Sequence, residues 1–308
     1  MNLENLHSCS ICPRICGADR TSAKPGYCGG SQDIFVSSVC IHHGEEPVIS
    51  GTKGICNVFF SRCNLQCIYC QNFQISRKKG KVAEKKYSLQ EIVLEIIQIL
   101  DQGINMLGFV SPSHMVPQMK TIINALHQMK RFPVIVYNTN AYDKVETIKS
   151  LEGLIDIYLP DFKYMNASIA KEYSDAKDYP EVASKSIIEM FRQKGSRLEM
   201  DDEGNAKSGL IVRHLVLPGN VENSLSVLRF IANELSPDVH LSLMSQYYPT
   251  SVVEKHPVLG RPITKKEYDC VIDEMDKLGF HRGWVQEMES TEFYKPDFTQ
   301  KNPFKSEK

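Results

Sequence analysis

Three cysteines stand within eight residues in Cys63-Asn64-Leu65-Gln66-Cys67-Ile68-Tyr69-Cys70. Thiolates are the ligands that hold iron–sulfur clusters, and four is their usual number. A compact C-x3-C-x2-C loop can wrap three iron corners of a cubane, which leaves the fourth iron without a protein ligand. An open coordination position is where a metal centre engages a substrate. The alternative chemistry is a zinc site that borrows a fourth ligand, such as Cys56 or a histidine. Structural zinc usually presents paired C-x2-C knuckles. Only one such pair occurs in this loop, so the spacing favours a cluster.

Four further cysteines, Cys9, Cys12, Cys16 and Cys28, form a C-x2-C-x3-C-x11-C group among several glycines. Four thiolates suit either a structural zinc ion or a second iron–sulfur cluster. A metal-free fold is disfavoured for a segment with so little apolar content. His42, His43, Glu45 and Glu46 follow. Two adjacent acids before a proline read most simply as a solvated turn; the functional alternative puts them near a substrate. Cys40, Cys56 and Cys270 stand apart and read as small buried apolar residues.

The elements that must position these groups are legible as alternation. Apolar runs at 55–60, 105–110, 132–138, 154–160, 210–218 and 239–244 suit strands buried on both faces of a parallel sheet. Between them lie amphipathic segments. Ser88 and Glu91 form a capping box before one helix, and further helices are expected at about 115–130, 143–151, 181–193 and 222–235. Thr264 and Glu267 open the last, which Gly279 ends. Six β–α units predict a parallel α/β sheet, either doubly wound and open or an incomplete barrel. The three-cysteine loop follows the first run, at the carboxyl edge where α/β sites assemble. The expected organisation is a Cys-rich metal-binding module at 1–50, the α/β unit at 51–288 and a tail at 289–308. That tail reads as disordered or as a strap across the barrel.

Bulk composition narrows the classes. With 36 Lys+Arg against 37 Asp+Glu, no global charge argues for nucleic acid or an anionic membrane. No apolar run approaches the roughly 20 residues of a transmembrane helix, and the start lacks a signal-peptide pattern. A cytoplasmic protein is expected. In a reducing compartment clustered cysteines bind metal or do redox chemistry rather than form disulfides.

The CNLQCIYC loop with the following Gln71-Asn72 resembles the signature of the radical S-adenosylmethionine (SAM) superfamily. The chain looks most like the pyruvate formate-lyase activating enzymes, and among these their PflX-type branch. The resemblance extends through CSICPRICGADR (9–20), HHGEEP (42–47), GFVSPSH (108–114), YNTNAYD (137–143), DIYLPDFKY (156–164), VRHLVLPG (212–219) and SQYYP (245–249). It implies a partial (β/α)6 TIM-like barrel with a small Cys-rich N-terminal module. It also implies a [4Fe–4S] cluster on Cys63, Cys67 and Cys70, with SAM bound at the open iron and cleaved by one electron to a 5′-deoxyadenosyl radical.

Other positions carry over singly. Tyr69 matches the aromatic whose main chain faces the SAM adenine; packing beside the cluster is its other reading. Ser111-Pro112-Ser113-His114 stands where relatives carry Gly-Gly-Glu for the methionine amino group, so Ser111 is a SAM contact in altered form. Asn138 and Asp161 end neighbouring strands where some activating enzymes place a monovalent cation. Asn138 in place of an acid removes one formal charge from such a site. Lys163 is expected to face SAM or a carboxylate. Arg213 and His214, on the fifth strand, are candidate SAM contacts; a lone histidine there is more often a satisfied core residue, and Arg213 is the stronger candidate because buried arginine is uncommon unless paired.

The function implied is radical generation on a polypeptide, possible partners being a glycyl-radical enzyme as substrate and flavodoxin or ferredoxin as electron donor. A small molecule or another protein modification is the alternative target. A non-catalytic iron–sulfur electron carrier is the remote one.

Overall fold

The computed structural model describes residues 4–22, 24, 26–78, 80–288, 295–300 and 302–304. Ten strands form one sheet: β1 (Ile34–His42), β2 (Ile55–Phe60), β3 (Lys85–Tyr87), β4 (Met106–Val110), β5 (Val134–Thr139), β6 (Ile157–Pro160), β7 (Glu199–Met200), β8 (Ala206–Leu215), β9 (His240–Met244) and β10 (Gly283–Val285). Their order is β10-β9-β8-β6-β5-β4-β2-β1-β3, with β7 paired to β8. From β2 to β10 every pairing along this path is parallel. Among these parallel strands the order follows chain order with no point of reversal, so the sheet is the incomplete barrel and not the doubly wound alternative, in which the order reverses.

All six expected runs contain parallel strands, because apolar side chains on both faces are covered. The burial of β2, β4 and β6 is unbroken. Cys56, Leu107, Ile135 and Tyr158 pack outward in the core that includes the helices. Ile55, Met106, Val136, Ile157 and Ile211 pack on the inner face with Ile49 of the short helix Pro47–Ser50. Both capping boxes are present, on Leu89–Leu100 and Lys265–Lys277. Helices Val116–Gln128, Tyr179–Lys194 and Val221–Phe230 fill the expected crossovers.

Several elements depart from expectation. Residues 34–42, which fall within the span expected as a Cys-rich module, form β1, whose largely alternating burial suits a strand antiparallel to β2. The helix Ala167–Ser174 is new; Asn166 caps it by accepting from the N–H groups of Ser168 and Ile169. Residues 289–294, 301 and 305–308 of the expected tail lie outside the described residues. The described part crosses the mouth, where Phe298 meets Phe59 edge-on at 5.3 Å and Phe304 lies 4.0 Å from the His42 ring. Cys270, expected to be buried, is exposed, whereas Cys40 and Cys56 are buried. Among the described residues no helix is long and apolar enough to cross a membrane.

Candidate active site

Cys63, Cys67 and Cys70 line one cavity of about 200 Å³ at the carboxyl ends of the strands. The loop is braced from several sides. Gln66 donates to the carbonyls of Cys63 (2.9 Å) and Ser76 (3.2 Å) and accepts from the Lys78 N–H (3.0 Å). Ile68 N–H donates to the Tyr173 carbonyl at 2.8 Å. Asn64 donates to the Tyr142 carbonyl at 2.7 Å, and Gln71 to that of Gln246 at 2.7 Å. A loop so held presents its sulfurs without reorganising.

Each sulfur also faces a donor. Leu65 N–H (3.3 Å) and the Asn140 amide (3.4 Å) point at Cys63 Sγ, the Ser174 hydroxyl at Cys67 Sγ (3.0 Å), and the Ser76 hydroxyl at Cys70 Sγ (3.3 Å). Burial pushes all three thiols up, Cys67 to about 11 and Cys63 further, despite these donors and, at Cys67 and Cys70, the Lys163 charge. Cys63 is buried and Cys67 and Cys70 are partly buried; a thiolate out of water is stable beside a cationic centre, so three such sulfurs with donors aimed at them fit a thiolate-ligated iron–sulfur cluster. The residues present suit that group.

The same cavity holds a ladder of charge. Arg213 donates from Nε to Asp161 Oδ1 (2.7 Å), from NH1 to Glu45 Oε2 (2.9 Å) and from NH2 to Asn138 Oδ1 (2.7 Å). Lys163 Nζ donates to Asp161 Oδ2 at 2.9 Å. Glu45 Oε1 also accepts from Asn57 (3.0 Å) and Asn138 (3.1 Å). Burial alone would raise the Asp161 carboxyl, but Arg213 and Lys163 outweigh it and hold it below its ordinary range. The guanidinium bridges Asn138 and Asp161, the two strand ends that the resemblance assigns to a monovalent cation. In this chain an arginine carries that positive charge. Glu45 and Glu46, read most simply as a solvated turn, are instead buried, and burial raises the Glu46 carboxyl.

Not every expected residue reaches the cavity. Ser111, in a left-handed conformation at the end of β4, lines it with Tyr69, Asn138, Asp161, Lys163 and Arg213. His214 does not. Side chains alternate along a strand, so next to inward Arg213 it points outward, where its ring nitrogens meet Phe162 O (2.7 Å) and Ser224 Oγ (2.9 Å). It is a satisfied core histidine. Ser113 and His114 are likewise turned to Thr139 and to the Ser61 carbonyl. The Tyr69 ring packs against Tyr173 and Tyr247, with its hydroxyl on Tyr164. Residues that sequence reasoning did not single out are Asn57, Ser76 and Ser174, while Asn140 entered only as part of the YNTNAYD match. Each is an ordinary polar residue whose role appears only once distant segments meet.

Cys9, Cys12 and Cys28 are buried beside exposed Cys16. The four are near enough to act on one another: Cys12 is pushed up to about 12, first by burial and further by Cys28, Cys9 and Cys16. Among the described residues no group of three or more His, Cys, Asp or Glu converges on a single metal ion, the three-cysteine loop included; a cubane asks each of those sulfurs for a different iron and needs no such convergence. The module lies against the barrel, with Lys144 on the Ser10 carbonyl and Thr147 on that of Ile11.

An incomplete parallel barrel with three cysteines following its first parallel strand is the architecture of radical SAM proteins. The chain belongs to the Radical SAM superfamily, whose family model matches residues 57–225, more than half of its 308 residues. Membership implies a [4Fe–4S] cluster and SAM. An uncharacterized protein of Methanocaldococcus jannaschii is 26% identical over 277 residues, 88% of this chain and 75% of its own. A radical SAM methyltransferase from Sphaerobacter thermophilus superposes with a TM-score of 0.51 at 12% identity, over 75% of this chain and 66% of that one. Streptococcus suis SuiB bound to S-adenosylmethionine gives 0.48 at 12%, over 74% and 48%. The chain therefore matches less than two thirds of the length of either structure, and at 12% identity the likeness to the methyltransferase is one of fold.

Proposed function

We propose that this chain holds a [4Fe–4S] cluster on Cys63, Cys67 and Cys70, cleaves SAM there and directs the radical at a polypeptide, with glycyl-radical enzyme activation in the manner of the PflX-type branch as the leading case. One observation carries the reading: three sulfurs, of buried Cys63 and partly buried Cys67 and Cys70, share a cavity with the Asp161–Lys163–Arg213 ladder. When bound, cluster and SAM together would supply a 5′-deoxyadenosyl radical for hydrogen abstraction. Lys163 donates to one partner only, Asp161, among the described residues, and so has N–H capacity left for a carboxylate such as that of SAM. Arg213 has three partners and acts by orienting Asp161, Asn138 and Glu45. Ser111 and Asn138 offer hydrogen bonds at the cavity wall, and Tyr69 supplies main chain beside the cluster. Phe59 and Phe304 keep water out.

A small-molecule substrate is the second reading, favoured by Pro296 and Phe304 covering the mouth of a cavity of modest size. Flavodoxin or ferredoxin would be the electron donor. Cys9, Cys12, Cys16 and Cys28 would hold zinc or a second cluster, and the iron-to-zinc content of the Cys63→Ala/Cys67→Ala/Cys70→Ala variant decides which. To separate substrate classes, deuterated candidates are incubated with reduced protein and SAM. Label passing from a glycine peptide into 5′-deoxyadenosine is the expected result; label arriving from small molecules alone would overturn the polypeptide reading. A protein that holds its cluster and binds no SAM would be an electron carrier.

A further inference from the structure

Arg14 lies between two cysteines of the N-terminal module, yet its donors are spent on the barrel. Nε donates to the Asn64 carbonyl (2.9 Å), NH1 to that of Asp175 (2.5 Å) and NH2 to that of Ser174 (3.4 Å). Its guanidinium covers the Tyr27 ring at 3.9 Å. Tyr27, which precedes Cys28, donates in turn to Asp175 Oδ2 at 2.8 Å. Both ends of the four-cysteine motif thus grip the same place.

That place touches the other cysteine site. The helix Ala167–Ser174 ends at Asp175 in a left-handed conformation. The last carbonyls of a helix lack partners within it, and a cation there is favourable. Arg14 satisfies two of these carbonyls and so fixes the helix end, from which the Ser174 hydroxyl donates to Cys67 Sγ at 3.0 Å. The second contact is at Asn64, the neighbour of Cys63. The Asn140 amide donates to Asn64 Oδ1 at 2.9 Å and faces Cys63 Sγ at 3.4 Å. Two of the three sulfurs are therefore reached through residues that Arg14 holds.

We propose that Arg14 and Ser174 form a brace between the N-terminal module and the three-cysteine loop, and that this brace sets the reduction potential of the cluster held there. The proposal rests on the reading of Cys63, Cys67 and Cys70 as cluster ligands. Donors to ligand sulfurs withdraw charge and favour the reduced, more negative cluster, so they raise its potential. Ser174 and Arg14 are positioning residues: neither needs to touch substrate.

The test is a redox titration of the reconstituted full chain, following by electron paramagnetic resonance the reduced signal that responds to SAM. Ser174→Ala is expected to move the midpoint to a more negative potential at unchanged cluster content. Ser174→Thr, which keeps a hydroxyl, restores the wild-type value, and Arg14→Ala shifts it in the same direction as Ser174→Ala. Wild-type midpoints in Ser174→Ala and Arg14→Ala, with the cluster loaded, would overturn the brace and leave a structural contact. Should Arg14→Ala fail to fold, the alanine and threonine variants at Ser174 still decide the matter. A wild-type chain with no cluster on the three cysteines would be a different failure, that of the underlying reading.

Discussion

Arg213 brings a guanidinium to a buried position where Asp161, Glu45 and Asn138 take one donor each. Replacing it with methionine leaves Asp161 with Lys163 alone and Glu45 with amide donors only, and removing one partner of a buried pair costs about 3–5 kcal/mol. Denaturant unfolding of Arg213→Met is expected to show a loss of that size. Arg213→Met/Asp161→Asn should recover part of it, and strictly additive losses would argue that the pair does not interact. At this scale the sequence was informative where spacing alone defines chemistry, as in the three-cysteine loop. Asp161, Lys163 and Arg213 were legible through their places after apolar runs. Glu45 read as solvent-facing because adjacent acids before a proline usually are; only the return of β1 beside β2 carries it inside. His214 sits next to Arg213, and which of two neighbours faces inward depends on a register that one apolar run does not specify.

At the scale of elements, neighbouring strands cooperate to hold Glu45. Asn57 on β2 lies across from Gly108 on β4. A Cβ at Gly108 would stand 2.1 Å from Asn57 Oδ1, so the glycine leaves room for the amide that donates to Glu45. Gly108→Ala must displace Asn57, and overpacking of this kind costs about 1–3 kcal/mol. The variant is expected to lose that stability and to bind SAM more weakly, as calorimetric titration would show. Unchanged affinity would mean that Glu45 needs no help from Asn57. Long amphipathic helices and buried strands were legible because hydrophobic period and capping boxes agree. The helix Ala167–Ser174 was not, since its eight residues are only about two turns. Nor was β10, whose three residues pair with β9 at the sheet edge.

Across the whole molecule, buried titratable groups make stability depend on pH. Burial lowers both His114 and His214 from 6.5 to about 4. The folded state then disfavours the proton, so stability is full above the unfolded value. It falls as the pH drops below about 6.5 and levels near 4. A gap of about 2.5 units corresponds to roughly 3 kcal/mol for each histidine. Unfolding between pH 7 and pH 4 is expected to show this decline, reduced by about half in His214→Asn; a flat profile would mean that the rings are solvated. The closing of the mouth by residues 295–300 and 302–304 is likewise a property of the whole: a strap was one reading of this polar stretch, but its partners Phe59 and His42 lie more than 200 positions earlier.

The central claim is that Cys63, Cys67 and Cys70 hold a cluster with one iron open to SAM. Anaerobic reconstitution followed by electron paramagnetic resonance of the reduced protein, with and without SAM, tests it most directly. The account predicts a reduced [4Fe–4S] signal that changes on adding SAM and is lost in the Cys63→Ala/Cys67→Ala/Cys70→Ala variant. A fully reconstituted protein whose spectrum is indifferent to SAM, and which forms no 5′-deoxyadenosine, would contradict it.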